Sequence, residues 1–140
     1  MKWLIVSTLT LVLGWAVWVA CNHEQRALAR LLDAKAVASV DHIKLLHSTG
    51  YLRENTHVFE CPALDLLDEP RGGIAFDILT ATDPADSDWI EFAKRFVDPH
   101  AQPAIDWSSA QIRIGDGKGL LTQVFLVTTP TRNFIVLKVF

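Results

Sequence analysis

The histidines are the residues of this chain best suited to hold a metal ion or to move a proton. There are five of them: His23, His42, His47, His57 and His100. Helical histidine ligands lie three or four residues apart, whereas His42 and His47 are five apart, about 140° around a helix, so their rings would diverge. Neither an H-E-x-x-H nor a C-x-x-C motif occurs. We therefore expect solvated or core histidines and no metal site.

Two short segments resemble ion-binding loops but fit simpler structures. The acidic stretch Asp83 to Glu91 has Asp88 at the sixth position, where a calcium loop needs glycine. Its first residues are instead typical of a helix start, with Asp as the N-cap and Pro in the first turn. Gly115 to Gly119 ends in glycine where a phosphate loop needs Ser or Thr, and a strand rather than a helix follows. We expect a hairpin turn there.

Serine and cysteine nucleophiles are present without a recognisable activating context. Neither a G-x-S-x-G motif nor a Cys–His pattern surrounds the candidates, which are Ser48, Ser87, Ser108, Ser109 and Cys61. Cys61 is predicted to be a small buried residue; the alternative is a disulfide with Cys21, if both face an oxidising compartment. We expect no catalytic residue, no cofactor and no enzymatic activity.

Composition narrows the class of protein before any element is placed. The chain has 140 residues, 50% of them hydrophobic, and a net charge of −3. This length supports one domain, and the abundance of apolar residues excludes intrinsic disorder. The isoelectric point is about 5.9 and no run of Lys or Arg occurs, which argues against nucleic acid as a partner.

The most apolar segment predicts a single transmembrane helix over residues 1–21. Trp3 to Cys21 is a run of 19 residues without a charge. At about 1.5 Å per residue such a helix covers roughly 28 Å, close to the thickness of the hydrocarbon core of a bilayer. Trp3 lies at one end and Trp15 and Trp18 lie towards the other, where indole rings meet the headgroups.

Two other interpretations of this segment, as a cleaved secretory signal or as a lipoprotein signal, fit its sequence less well. A cleaved secretory signal has a shorter apolar core and small residues before the cut, whereas Trp18 is bulky. A lipoprotein signal ending at Cys21 is supported by Ala20, which suits the position before the cysteine. Trp18, three positions before Cys21, does not fit, because this position favours Leu or Val. A retained signal-anchor leaves the domain outside the cytoplasm, and we favour this orientation. The positive-inside rule favours the opposite orientation, because three basic residues follow the helix.

Ser7, Thr10 and Gly14 form a stripe of small residues on one side of this helix. Their spacing is i, i+3, i+7, and Thr10-x-x-x-Gly14 is a small-x-x-x-small pair. Such a stripe lets a second transmembrane helix approach closely. The alternative is that small residues simply occur in an apolar helix. The partners predicted here are the lipid bilayer and other membrane-protein subunits.

The rest of the chain predicts a helical connector over 22–50 and an α+β domain over 51–140. In the connector, apolar residues recur at three- and four-residue steps up to a glycine stop signal. In the domain, alternating patterns predict strands near 57–60, 74–80, 111–114, 120–129 and 133–140. A helix is predicted near 84–97, with Trp89, Phe92 and Phe96 in the core. The expected fold is an antiparallel sheet with helices packed on one face.

Two features of the domain predict contacts with other chains. The last strand, Phe134 to Phe140, is apolar on both sides except at Lys138, and a domain of about 100 residues is too small to cover such a strand easily. Residues 54–106 hold 3 basic and 12 acidic residues, whereas the segments on either side are each net +3. An acidic segment is typical of a solvated face; the alternative is a docking surface for a basic partner.

Together these features predict a non-catalytic, single-pass accessory or assembly subunit of a membrane protein complex. The anchor supplies the location and the α+β domain supplies a contact surface. The alternative is a membrane-tethered or lipidated envelope protein that binds a soluble ligand, in the manner of an immunity-type inhibitor. Stoichiometric membrane partners would favour the first hypothesis, and a soluble partner would favour the second.

Overall fold

The computed structural model describes residues 2–21, 28–30, 42–49, 55–62, 64–65, 67–68, 73–117 and 122–140, and the side chains of 6–18 within the first helix. Residues 28–30 are helical. The named elements, in chain order, are α1 (Lys2–Cys21), β1 (Lys44–Ser48), β2 (Asn55–Glu60), β3 (Phe76–Ile78), α2 (Pro84–Val97), β4 (Gln111–Asp116), β5 (Thr122–Thr128) and β6 (Asn133–Val139). The fold is therefore α+β, as predicted.

The six strands form one sheet in the order β1-β2-β6-β5-β4-β3, and every neighbouring pair is antiparallel. The predicted meander of the last three strands is confirmed. β6 lies near the centre of the sheet, where Val136 is opposite Val58 of β2 and Phe125 of β5. Its backbone groups are paired on both edges, which suits a strand that is apolar on both faces from Phe134 to Leu137.

The two faces of the sheet carry two separate apolar layers, because successive side chains of a strand point to opposite sides. On one face, Phe125, Val127, Phe134 and Val136 pack with Ala93 of α2. The layer on the other face includes Val124, Leu126, Ile135, Leu137, Leu28, Leu67 and Ile74. Helical residues therefore lie on both faces of the sheet, and the prediction of helices on a single face is wrong.

α2 has the bounds that its sequence predicts. The Oδ1 atom of Asp83 accepts a hydrogen bond of 2.9 Å from the Ala85 N–H, and Pro84 stands in the first turn. The N-cap interpretation of this acidic segment is thus confirmed. Ala93 and Val97 are the fully buried positions of the helix. The rings of Trp89, Phe92 and Phe96, which were predicted to lie in the core, are half-buried. Small residues at the contact let the helix approach the sheet, so the larger rings lie on its flanks.

The helical prediction for residues 22–50 is wrong at Lys44–Ser48, which is the edge strand β1. β1 pairs antiparallel with β2, and its register shifts between Leu45 and His47. The few apolar residues here fit both a helical and a strand period, and pairing with β2 selects the strand. The segments 22–27 and 31–41 and residue 50 lie outside the described residues.

The expectation that another subunit buries the last strand is wrong for β6. Phe134, Ile135, Val136 and Leu137 are each 0% exposed within this chain alone. The reason is the position of β6 between β2 and β5, with an apolar layer of the same chain on each face.

α1 differs from the other elements in its surroundings. It is helical from Lys2 to Cys21, and every described side chain in it, over residues 6–18, is exposed. In the part of the chain that the structure describes, no helix combines the length and the apolarity that crossing a membrane requires. The spanning helix predicted over 1–21 is therefore not confirmed.

Candidate functional site

The predicted stripe on α1 is exposed along its length. Ser7, Thr10 and Gly14 lie in the helix, and the Thr10 hydroxyl donates a 2.8 Å hydrogen bond to the Val6 carbonyl. A Cβ atom built on Gly14 would meet nothing within 4 Å. The side of α1 that carries these residues therefore has open space beside it among the described residues.

Two of the five histidines stack at the edge strand β1, and a third lies on the neighbouring strand. The ring of His47 stacks on that of His100, with centroids 4.4 Å apart and planes 14° from parallel. His57 lies on the neighbouring strand β2, and its Nδ1 atom is 2.9 Å from the Ser48 Oγ in a hydrogen bond. The sequence contains no signal for this cluster, because the register shift in β1 and the end of α2 bring His47 and His100 together.

Burial and mutual repulsion keep two of these imidazoles neutral near pH 7. Desolvation lowers the pKa of His57 below its usual range, and the nearby His47 lowers it further. The pKa of His47 is lowered by desolvation and then by His100. No carboxylate is a cause of either shift, so protonation would place positive charges next to one another.

The other candidate residues are scattered. Among the described residues, no group of three or more His, Cys, Asp or Glu could hold a metal ion. His42 is exposed in a turn with a φ of 65°, and Cys61 is buried. Ser108 donates a 2.6 Å hydrogen bond to the Asp106 carboxylate within a turn, which lowers the pKa of that carboxyl group. His23 and the side chain of Cys21 lie outside the described residues, so the Cys21–Cys61 pairing stays a prediction.

The glycine-rich segment after residue 114 begins at the end of β4, in the hairpin that the sequence predicts, and residues 118–121 lie outside the described residues. β4 and β5 pair antiparallel on either side of it, and the Gly117 N–H donates a 2.7 Å hydrogen bond to the Thr122 carbonyl. Gly115 lies inside β4, where a Cβ atom would be 2.6 Å from the carbonyl oxygen of Ala75. The absence of a side chain there lets the segment before β3 approach β4 closely.

Arg132, just before β6, and Arg113 of β4 each combine an ion pair with an aromatic contact. The Arg132 guanidinium donates hydrogen bonds of 2.7 and 3.1 Å to the Glu60 carboxylate, and it lies 4.8 Å from the centroid of Phe134. This pair lowers the pKa of Glu60 and raises that of Arg132. The Arg113 guanidinium contacts the Asp68 carboxylate at 3.0 Å and lies 5.4 Å from the centroid of Phe76.

A third cation, Lys138 of β6, lies among aromatic rings on the α2 side of the sheet. Its Nζ atom is 5.4 Å from the centroid of Trp89, 5.2 Å from that of Phe92 and 4.8 Å from that of Phe140. We call these four residues the Lys138 site. In the sequence, Lys138 stands out only as the charged exception in an apolar strand, and that exception was the available signal.

No protein-family model, curated protein or solved structure matches this chain. Three features of the described residues therefore stand as candidates for function: the exposed stripe on α1, the histidine cluster at β1, and the Lys138 site at the end of β6. They differ in chemistry, since the first consists of small side chains, the second titrates and the third is cationic.

Proposed function

We propose that this protein is a non-catalytic, single-pass subunit of a membrane protein complex. In this proposal α1 is the anchor, the sheet domain lies on the non-cytoplasmic side and provides a contact surface, and the stripe on α1 docks a second helix. One observation carries the proposal: the described side chains of α1 are exposed and mostly apolar, while the sheet domain buries its own core.

The exposed surface of α1 is too apolar to face water favourably. Leu11 is 75% exposed and Leu13 is 58% exposed, and they project from nearly opposite sides of the helix, about 160° apart. A helix that is apolar all round is stable when lipid or protein surrounds it. In the sequence, the uncharged run extends beyond the described side chains to Trp3 and Cys21, a total of 19 residues. The length and composition of that run support the membrane as the first environment of α1.

The stripe supports a protein partner within the membrane. Lipid chains contact small and large side chains equally well, whereas another helix gains close backbone contact at Thr10 and Gly14. The open space beside Gly14 is what such a helix would fill.

A second candidate function rests on the Lys138 site. A membrane-tethered or lipidated envelope protein that binds a soluble ligand needs a surface with specific chemistry, and a lysine surrounded by three rings provides one. Both functions use the same anchor, so the partner distinguishes them.

Native co-purification tests the main proposal. The full chain is extracted from its own membranes in a mild detergent, and the intact masses of the protein and of its complex are measured. We expect an uncleaved chain together with membrane subunits in fixed stoichiometry. A chain that starts at residue 21 or 22, or one that is a lone monomer, would contradict the proposal. A soluble partner in fixed stoichiometry would favour the second function.

Two matched variants test the stripe. Gly14→Leu fills the open space, and we expect it to lower partner recovery by about tenfold, the effect of 1.4 kcal/mol at a helix contact. Ala16→Leu makes a similar change on the opposite side of α1, about 160° around the helix, and should leave recovery unchanged. Equal recovery of partners with both variants and the wild type would show that the stripe is not the docking face.

A further inference from the structure

Lys138 differs from Arg132 and Arg113, the two arginines that also lie over aromatic rings. Arg132 and Arg113 each lie over one aromatic ring, and each also contacts a carboxylate of this chain. Lys138 lies over three rings, but in the part of the chain that the structure describes no carboxylate lies within ion-pair distance of it. An ammonium beside apolar rings is less hydrated than one in open water, so a counter-charge there binds more strongly.

The residues across the sheet do not supply that counter-charge. Lys138 is directly opposite Thr56 on one side and Gln123 on the other, and Asp116 follows one strand beyond Gln123. Two strand spacings separate Asp116 from Lys138, roughly 10 Å at the backbone. The Oε1 atom of Gln123 is buried without a hydrogen-bond partner. Among the described residues of this row, the Lys138 ammonium therefore has no paired carboxylate, and the Gln123 Oε1 atom accepts no hydrogen bond.

We propose that the Lys138 site binds a small organic acid. The carboxylate of the ligand pairs with the Lys138 ammonium, in the role that Glu60 and Asp68 have for the two arginines. Its apolar or aromatic portion packs against Trp89, Phe92 and Phe140. Phe140 is 50% exposed, which leaves the site open to solvent on that side. A charge-assisted hydrogen bond beside an apolar wall provides both affinity and selection for an acid over a neutral analogue.

This site is independent of the anchor and of the stripe on α1. It lies on the α2 side of the sheet, and each of its contacts is made within the sheet domain and α2. Failure of the membrane-subunit proposal would therefore leave it standing, and the reverse also holds.

Ligand titration of the full chain in detergent micelles tests the site. The probe is phenylacetate, and the neutral control of nearly the same shape is phenylacetamide. The indole N–H signal of Trp89, assigned with a Trp89→Phe variant, reports binding in ¹⁵N spectra. We expect a saturable shift with phenylacetate and a dissociation constant on the order of 1 mM, typical of a ligand of about ten heavy atoms. Phenylacetamide should bind at least about tenfold more weakly.

Lysine variants assign the effect to the ammonium. Lys138→Met keeps most of the apolar stem and should weaken phenylacetate binding about tenfold, whereas Lys138→Arg should stay within about threefold. Lys94→Met is the matched control, because Lys94 also lies near a ring, 6.0 Å from the centroid of Trp107, but is already paired with Glu91 at 3.1 Å. It should not change the affinity.

Three results would overturn the proposal. They are equal binding of phenylacetate and phenylacetamide, equal binding by the wild type and Lys138→Met, and the absence of a saturable shift in the wild type. Melting curves show whether each variant is folded. Should Lys138→Met fail to fold, the comparison of acid with amide in the wild type and in Lys138→Arg still decides the question.

Discussion

α1 and β6 are both strongly apolar segments, and their surroundings are opposite. The described side chains of α1 are exposed, whereas Phe134 to Leu137 of β6 are fully buried. A strand has two faces and two edges, and this small domain covers all four for β6. A helix exposes side chains around its whole circumference, and no described layer of this chain surrounds α1. An apolar run thus shows that something must cover it, and the fold decides whether the chain itself does so.

The largest expected difference between these segments is in how much a substitution in each one lowers the stability of the domain. Ile135→Ala removes buried methyl groups from β6 and should lower the free energy of unfolding of the domain by about 2–5 kcal/mol. Val17→Ala removes comparable groups from the exposed side of α1 and should change it by less than about 0.5 kcal/mol. Denaturant unfolding of the full chain in micelles, followed by tryptophan fluorescence, measures both. Similar losses for the two variants would show that α1 packs against the domain.

Two glycine variants sharpen the same contrast. Gly115→Ala places a Cβ atom 2.6 Å from the Ala75 carbonyl oxygen, so β3 or β4 must shift. We expect a loss of about 1–3 kcal/mol in the free energy of unfolding of the domain. Gly14→Ala meets no atom within 4 Å and should leave that free energy unchanged. Equal melting temperatures for the two variants would contradict the close approach of β3 and β4.

The layer that covers one face of β6 depends on the start of α2. Asp83→Ala removes the carboxylate that accepts from the Ala85 N–H, and we expect a loss of about 1 kcal/mol in the free energy of unfolding. Asp83→Asn keeps a capping oxygen and should lose only a few tenths of that amount. The same denaturant measurement applies. A full loss in Asp83→Asn would assign the effect to charge rather than to the cap.

The smallest expected effect is a pH dependence at the edge of the sheet. The folded-state pKa values of His47 and His57 are lowered, so the unfolded chain binds more protons as the pH falls below the usual histidine range. Stability is thus highest above about pH 6.5 and declines as the pH falls towards the folded-state values. The lowered pKa of Glu60 acts only at more acidic pH, since its usual value is 4.5.

Melting curves at about pH 7.5 and 5.5 check this dependence, because that interval lies above the range in which carboxylates titrate. We expect a lower melting temperature at the acidic pH, and a smaller decrease in His47→Gln, which removes the stack with His100. His42→Gln, at an exposed turn position, should behave like the wild type. An unchanged decrease in His47→Gln would assign the pH dependence to other groups.

Local signals explain which elements were predictable from the sequence. The start of α2 followed from Asp83 and Pro84, which act within the first turn of the helix. The hairpin of β4 and β5 was predicted from the glycine-rich sequence between them, and its strands from the alternation of apolar residues. β1 was missed because its few apolar residues fit either period, and pairing with the distant β2 made the choice.

By itself, the sequence determined the α+β class, the helix over Pro84–Val97, the meander of the last three strands and the apolar character of α1 and β6. Only the tertiary structure decided that β6 is central and covered by its own chain, that His47 stacks on His100, and that Lys138 lies among Trp89, Phe92 and Phe140. The physical reason is the separation along the chain over which each kind of interaction acts. Caps, turns and periodicity act between residues a few positions apart, whereas strand order, register and the path of α2 across the sheet bring together side chains about 50 residues apart.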